Sequence, residues 1–328
     1  MQTVSIIVPS YNHGNFLKQR LESIFNQTFQ DFEVILLDDA SQDISVRILS
    51  EYSDHPKVSH LVINKKNSGS PFKQWKKGIK LSKGDYIWIA ESDDNCDPNF
   101  LNSLIPVLDS DRELGLAYCQ SRSINENNEF LDSWENYTVS MDPHKWKEDF
   151  KENGQNFVQN YMIIKNVIPN ASAVVWRKSM IDVHIFDQTS KYVLHGDRLF
   201  WSYLLLKSNV YFCSNILNYF RIHPQTSRSQ NQGWVNYEEN LDFLLWAKKK
   251  GIYIQDISKI QNQLIIISNV LTESNNSYLL IRIIKKLRSL GLMRRYILKS
   301  IKSKMKGPIN KSIIGLAFRF LNYFKASS

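Results

Sequence analysis

Four short apolar runs alternate with amphipathic stretches in the first 110 residues, and this alternation most constrains the fold. VSIIV (4–8), FEVILL (32–37), VSHLVI (58–63) and YIWIA (86–90) have the length and β-branched content of buried strands. Between the first two, residues 15–28 place Phe16, Leu17, Leu21, Ile24 and Phe25 at helical spacing. A second helix is expected from Ser41, with Ile44, Ile48 and Leu49 on one face, and a third over 71–82. Asp97-Pro98 reads as a cap followed by proline at the first position of a helix ending near Leu108. Strands separated by helices of this length imply a parallel sheet wound through right-handed crossovers, hence an α/β fold.

After residue 114 the pattern loosens. LGLAYC (114–119), ASAVVW (171–176) and VYFC (210–213) read as strands, with a helix around 197–207. Residues 121–160 are polar and suit a loop-rich lobe. From about Glu238 the chain reads as helical, and 278–305 sets Leu280, Ile283, Ile284, Leu287 and Leu290 on one stripe among Lys and Arg.

Composition narrows the class. With 43% hydrophobic residues, the 328-residue chain can bury a real core. Its three cysteines form no CxxC pair, which argues against a disulfide framework and for a reducing compartment. MQTVSIIVPS lacks a basic leader and is not read as a signal peptide, and no window of about 18 apolar residues predicts a bilayer span. The net charge of +9 is unevenly spread. Residues 277–328 hold 13 Lys/Arg and no acid, leaving 28 basic against 32 acidic side chains in the rest. The basic end therefore points to an anionic partner for the tail alone.

Polar clusters follow three of the strands. YIWIA runs straight into Glu91-Ser92-Asp93-Asp94, three carboxylates within four residues. They repel one another, which destabilises the fold unless a cation sits among them. A solvated acidic turn is the bland alternative. The first strand ends in PSYNHG (9–14), and the second in LLDDASQD (36–43), where Asp38 and Asp39 stand. Helix capping by Asp39 or Ser41 is the alternative there. Three polar clusters at the carboxyl edge fit the ligand crevice of an open α/β sheet. Neither GxGxxG after the first strand nor GxxxxGK[ST] occurs, so no glycine loop cradles phosphates. A nucleotide bound here would need a divalent cation for its diphosphate, and Mg2+ or Mn2+ prefers carboxylate oxygens and water.

VSIIVPSYN, QTFQDFEVILLDDASQD, NSGSPFKQW, KGDYIWIAESDD and a later GDRLFW resemble the signature series of family-2 glycosyltransferases with the GT-A fold. The resemblance covers roughly residues 3–225, in the family's order and spacing. It implies a mostly parallel, Rossmann-like sheet flanked by helices, with a helical C-terminal extension. Residues 1–230 would be the glycosyltransferase domain, 1–112 its nucleotide-sugar half and 113–230 its acceptor half; 231–328 would be a basic helical region.

The same resemblance implies roles. Asp38 would orient its strand, Asp39 would meet the base or ribose, and Pro9 and Tyr11 would flank the donor, with Tyr11 stacking near uracil. Asp93 and Asp94 would contact ribose and metal. Glu91 would join the metal group, with one methylene more than the Asp of the common DSDD form. Asp197 in GDRLFW would be the base that takes a proton from the acceptor hydroxyl. An ordinary acid stabilised by a helix N-terminus is the alternative for Asp197. His223 and Arg221, in YFRIHPQTS, would steady the leaving diphosphate. Residues 73–76 lie where relatives often carry an Arg, and none stands there.

The function so implied is inverting transfer from a nucleotide-diphospho-sugar, a UDP-sugar, with Mn2+ or Mg2+ as cofactor. The acceptor would be a glycan or lipid-linked glycan in bacterial-type surface polysaccharide synthesis. The 277–328 tail, with Leu316, Phe318, Phe320, Leu321, Tyr323 and Phe324, suits an interfacial helix on an anionic membrane. A cytoplasmic protein at the inner face of the plasma membrane is therefore expected. No nucleic-acid module is recognised, and a homo-oligomer through the C-terminal helices is open. Two other classes compete. One is a catalytically inactive module of the same fold that binds a glycan or protein partner. The other is a phospho-receiver domain, which would need its acid pair after the first strand, where Ser10-Tyr11-Asn12 stands instead.

Overall fold

The computed structural model describes residues 3–224, 233–255 and 277–292. The chain forms two compact units, Met1–Asn231 and Gln232–Ser328. In the first unit, β1 (Val4–Ser10), β2 (Phe32–Asp38), β3 (Val58–Ile63) and β4 (Tyr86–Ile89) are joined by α1 (Gly14–Phe25), α2 (Ser45–Glu51) and α3 (Pro71–Leu81). β5 (Asn95–Cys96), α4 (Phe100–Ser110), β6 (Leu114–Ile124), β7 (Phe130–Ser133) and α5 (Trp134–Thr138) follow. Then come β8 (Phe150–Glu152), α6 (Gly154–Phe157), β9 (Val174–Arg177), α7 (Ile185–Thr189), α8 (Gly196–Leu205) and β10 (Asn209–Arg221).

The strands make one sheet in the order β3-β2-β1-β4-β9-β6-β10-β5, with β7 on β6 and β8 on β10. β1, β2, β3 and β4 are mutually parallel. β9 runs antiparallel to both β4 and β6, so the sheet is parallel in its first half and mixed beyond. The direction changes between β4 and β9, beside the carboxyl end of β4, the edge at which open α/β sheets bind ligands. β1, β2 and β4 are buried along their whole length, so their sequences read as unbroken apolar runs rather than alternating ones. Gly78 lets α3 lie close on β1, since a Cβ there would stand 2.4 Å from Cγ2 of Ile7.

Several boundaries differ from the sequence expectation, each for a local reason. α2 starts at Ser45 rather than Ser41 because 38–41 form a turn. Ser41 N donates to Asp38 Oδ1 at 2.9 Å, and Ala40 takes φ +64°. α4 starts at Phe100, not Pro98, because Asp97 caps Asn99 N at 2.8 Å and the Pro98 carbonyl accepts from Thr28 N at 2.8 Å. β6 and β10 run past their apolar runs into polar residues that bond one another within the sheet, such as Asn218 Nδ2 to Ser121 Oγ at 2.9 Å. The 121–160 stretch is accordingly not a loop-rich lobe. It carries the end of β6, then β7, α5 and β8, and buries Trp134, Trp146 and Phe157. Cys96, Cys119 and Cys213 are free and buried.

The second unit contains α9 (Trp234–Lys249) and α10 (Ser277–Leu290). α9 begins four residues before the expected Glu238. Ile283 and Leu287 of α10 are fully buried. Lys286 pairs with Glu238 at 2.9 Å and Asp242 at 2.7 Å, and Arg282 also pairs with Glu238. Acids of α9 thus neutralise part of the basic segment, while Lys285 and Arg288 stay exposed. The stripe beyond 292 and the aromatic terminus lie outside the described residues. Among the described residues, no helix is long and apolar enough to cross a membrane.

Candidate active site

β1 lies between β2 and β4, in register Ser10 to Asp38 on one side and Ile7 to Ile89 on the other. The polar residues that follow these three strands therefore share one edge. Pro9 is buried inside β1, opposite Leu37. Tyr11, just past it, is 45% exposed. Asn12 turns the chain with φ +56°, and its Oδ1 accepts from Gln42 N at 2.7 Å, which ties the β1 loop to the β2 loop.

The two acids at the end of β2 have different partners. Asp38 is fully buried and holds its own turn. Asp39 accepts four hydrogen bonds: Asn64 Nδ2 (2.6 Å), Ser68 N (2.9 Å) and Gln74 Nε2 (2.7 Å) on Oδ1, and Ser68 Oγ (2.8 Å) on Oδ2. It ties loop 64–70 to Gln74 of α3. Trp75 reaches Glu91, as described next, while Lys73 is exposed and Lys76 pairs with Asp187 at 2.7 Å.

The acids after β4 are held by different partners. Glu91 Oε1 accepts from Trp75 Nε1 at 3.0 Å. Asp94 is buried and accepts from Asn170 Nδ2 at 2.6 Å and Arg221 N at 2.9 Å. Asp93 faces two imidazoles: His223 Nε2 at 3.1 Å and His13 Nδ1 at 3.9 Å. The ligand atoms of His13, Asp93 and His223 lie within 4.8 Å of one another. Of the three acids it is thus Asp93, with two histidines, that forms a compact donor set.

The charges of this cluster separate accordingly. Burial, reinforced by Asp93 and Asp94, pushes Glu91 up to about 8. Burial and then Asp93 push Asp94 up to about 6. Burial also works against ionisation of Asp93, but His13 and His223 outweigh it and hold that carboxyl below its ordinary value. Adjacent acids pushed apart in this way are the mark of a site built around one fixed negative charge.

Arg221 does not stand free to clamp a diphosphate. Its guanidinium donates to Asp93 O (2.8 Å), Asn125 O (2.6 Å), Gln19 Oε1 (3.0 Å) and Asn128 Oδ1 (2.8 Å), and lies over Phe16. It pins the acidic turn in place instead.

Asp197 sits in the first turn of α8, where the helix dipole favours its negative charge. Its Oδ2 accepts from Asn166 Nδ2 at 3.0 Å and its Oδ1 from Arg198 N at 2.7 Å. Gly196 allows the helix to start against Phe72 of α3, since a Cβ there would meet that ring at 2.4 Å. Sequence reasoning missed His13, Asn166 and Asn170. His13 lies in the quoted PSYNHG segment, so its place at a strand end was the available signal; the two asparagines carry no motif.

Known proteins share this frame. An uncharacterized glycosyltransferase of Rickettsia typhi is 27% identical over 237 residues, 72% of this chain and 69% of the relative. The chondroitin synthase of Escherichia coli is 31% identical over 137 residues, 42% of this chain and only 20% of that longer protein. The fold is similar to that of S. aureus TarS 1-349 in complex with UDP-GlcNAc, with a TM-score of 0.58 at 16% identity, covering 90% of this chain and 72% of that one. The profile of the Glycosyl transferase family 2 matches residues 5–171, from β1 through the loop bearing Asn166 and Asn170. That is more than half of the chain, and it runs through all three strand-end clusters, so this protein belongs to glycosyl transferase family 2.

Proposed function

We propose that the protein moves a sugar, with inversion, from a UDP-sugar to a hydroxyl of a glycan or lipid-linked glycan in surface polysaccharide synthesis. The observation that carries this reading is that segment 166–170 bonds both to the acids after β4, through Asn170 and Asp94, and to Asp197, through Asn166. Asp93 lies between two imidazoles at the end of β4, and Asp197 stands at the start of a helix. Family membership supports the transfer. The UDP-GlcNAc bound by TarS supports the donor class, and the chondroitin synthase relative supports a polysaccharide product.

Each residue then has a task. Tyr11 offers an exposed ring for the base to stack on, two residues beyond the buried Pro9. Asp39 and its partners Asn64, Ser68 and Gln74 present hydrogen-bonding groups to base or ribose. The donor set of one carboxylate and two imidazoles fits a divalent cation, and nitrogen ligands suit Mn2+ better than Mg2+. Asp93, His13 and His223 would hold it, with Asp94 and Glu91 behind them adding negative charge. When bound, the cation supplies positive charge to the departing diphosphate.

Asp197 accepts the proton of the acceptor hydroxyl as that oxygen attacks the anomeric carbon. The bond from that carbon to the diphosphate oxygen breaks, and the nucleoside diphosphate leaves with the electron pair. The test is release of nucleoside diphosphate from a panel of sugar nucleotides, with Mn2+ and acceptor glycans present. Release from one UDP-sugar is the expected result. No release from any member would favour the non-catalytic module.

The basic tail, 13 Lys/Arg and no acid over 277–328, supports binding at the cytoplasmic leaflet in this reading. A Lys or Arg side chain close to anionic lipid contributes about 1 kcal/mol, less at high salt. A chain truncated after residue 275 should lose its binding to liposomes containing phosphatidylserine; equal partitioning of both chains contradicts the placement.

A further inference from the structure

One short segment, 166–172, touches both chemical ends of the site. At its start, Asn166 Oδ1 accepts from Ile168 N at 3.3 Å, which fixes the amide so that Nδ2 donates to Asp197 Oδ2 at 3.0 Å. At its end, Asn170 Nδ2 donates to Asp94 Oδ2 at 2.6 Å, while Asn170 Oδ1 accepts from Asn218 Nδ2 at 3.0 Å. Ser172 follows, its Oγ accepting from Glu91 N at 3.1 Å and its carbonyl from Trp88 Nε1 at 2.9 Å. The Asn166 amide is oriented by the Ile168 N–H, which can only donate, and the Asn170 amide by the Asp94 carboxylate.

The segment is also anchored between its ends. Val167 and Ile168 are fully buried, and the Val167 carbonyl accepts from Trp134 Nε1 at 3.0 Å. Just before it, Lys165 donates to the Tyr137 carbonyl and to Ser140 Oγ at the end of α5. A stretch so fixed behaves as a spacer of set length rather than as a free loop.

We propose that 166–172 is a strap that fixes Asp197 relative to the acids of the donor side, with Asn166 as the residue that positions Asp197. The inference rests on the reading of Asp197 as the base. A carboxylate rotated or shifted by about 1 Å loses much of its rate, because the acceptor oxygen must meet the base and the anomeric carbon at once. Asn166 contributes a donor of fixed direction and no charge of its own.

The test uses the full chain with Asn166→Ala and Asn166→Asp, and measures kcat, KM for the donor and affinity for UDP. Transfer kcat should fall by about tenfold to hundredfold in both variants, with donor KM and UDP affinity near the wild-type values. A second arm combines Asn166→Ala with Asp197→Asn. The double variant should be no slower than Asp197→Asn alone, because no base is left to position. Multiplying losses would mark a merely structural role and overturn the strap. Wild-type kcat in both Asn166 variants, beside an inactive Asp197→Asn, overturns the strap and leaves the base reading intact. Wild-type turnover in Asp197→Asn overturns the base reading itself.

Discussion

Replacing Asp197 with asparagine should slow sugar transfer by about a thousandfold, while affinity for UDP changes little. The carboxamide matches the carboxylate in shape, and its oxygen can still accept from Arg198 N. It cannot take up the proton that the attacking hydroxyl must lose. The ordinary alternative, an acid that only stabilises the start of α8, predicts a different outcome. Loss of the dipole interaction would cost about 0.3–1 kcal/mol of stability and leave turnover intact. Steady-state rates and a melting curve on the same preparation separate the two. A rate within tenfold of wild type would remove Asp197 from the mechanism.

Replacing Asp93 with asparagine should weaken Mn2+ binding by at least about a hundredfold, and donor binding with it. Asp93 is the acid of its cluster that His13 and His223 hold below the ordinary value, so its loss removes the fixed negative charge. A second effect concerns its neighbours. In metal-free protein the Glu91 carboxyl rises from 4.5 to about 8, so between those values the folded state binds more protons than the unfolded one. Stability should therefore fall as pH rises through that window. Without Asp93 one source of that upward push on Glu91 and Asp94 is gone, and the pH dependence should flatten. Calorimetric titration with Mn2+ and melting curves from pH 5 to 8 read both effects. Unchanged Mn2+ affinity in the variant would exclude Asp93 as a ligand.

The first half of the fold was legible because β1, β2 and β4 are buried on both faces, and burial on both faces leaves unbroken apolar runs. β6 and β10 were legible only in part. Their outer halves are built from Gln120, Ser121, Ser123 and Asn218, whose buried side chains are satisfied by one another or by the Trp146 and Asp132 backbone, and no periodicity marks such residues. The antiparallel insertion of β9 is equally silent in sequence, since VVW fits either direction.

The strand-end acids stood out because like charges rarely crowd without cause. What each acid does depends on its partners, which sequence spacing does not give. Glu91 and Asp94 are taken up by Trp75, Asn170 and the Arg221 backbone, whereas Asp93 meets histidines drawn from positions 13 and 223. Those two histidines are brought together by the sheet, 210 residues apart in the chain. Arg221 shows the opposite case, a charge that reads as functional and is spent on carbonyls of the 125–128 turn and on Asp93.

In the proposed function, the carboxyl edge of the sheet binds a sugar nucleotide through a divalent cation. Thermal shift of the metal-free full chain against a panel of sugar nucleotides, each with and without Mn2+, tests it most directly. A ligand that binds only the folded state stabilises it by RT ln(1 + [L]/Kd), about 2.7 kcal/mol at a hundred times Kd, and so raises the melting temperature. A UDP-sugar should stabilise the protein in the presence of Mn2+ and much less in its absence. Failure of every sugar nucleotide to shift the melting temperature, with Mn2+ present, would contradict it.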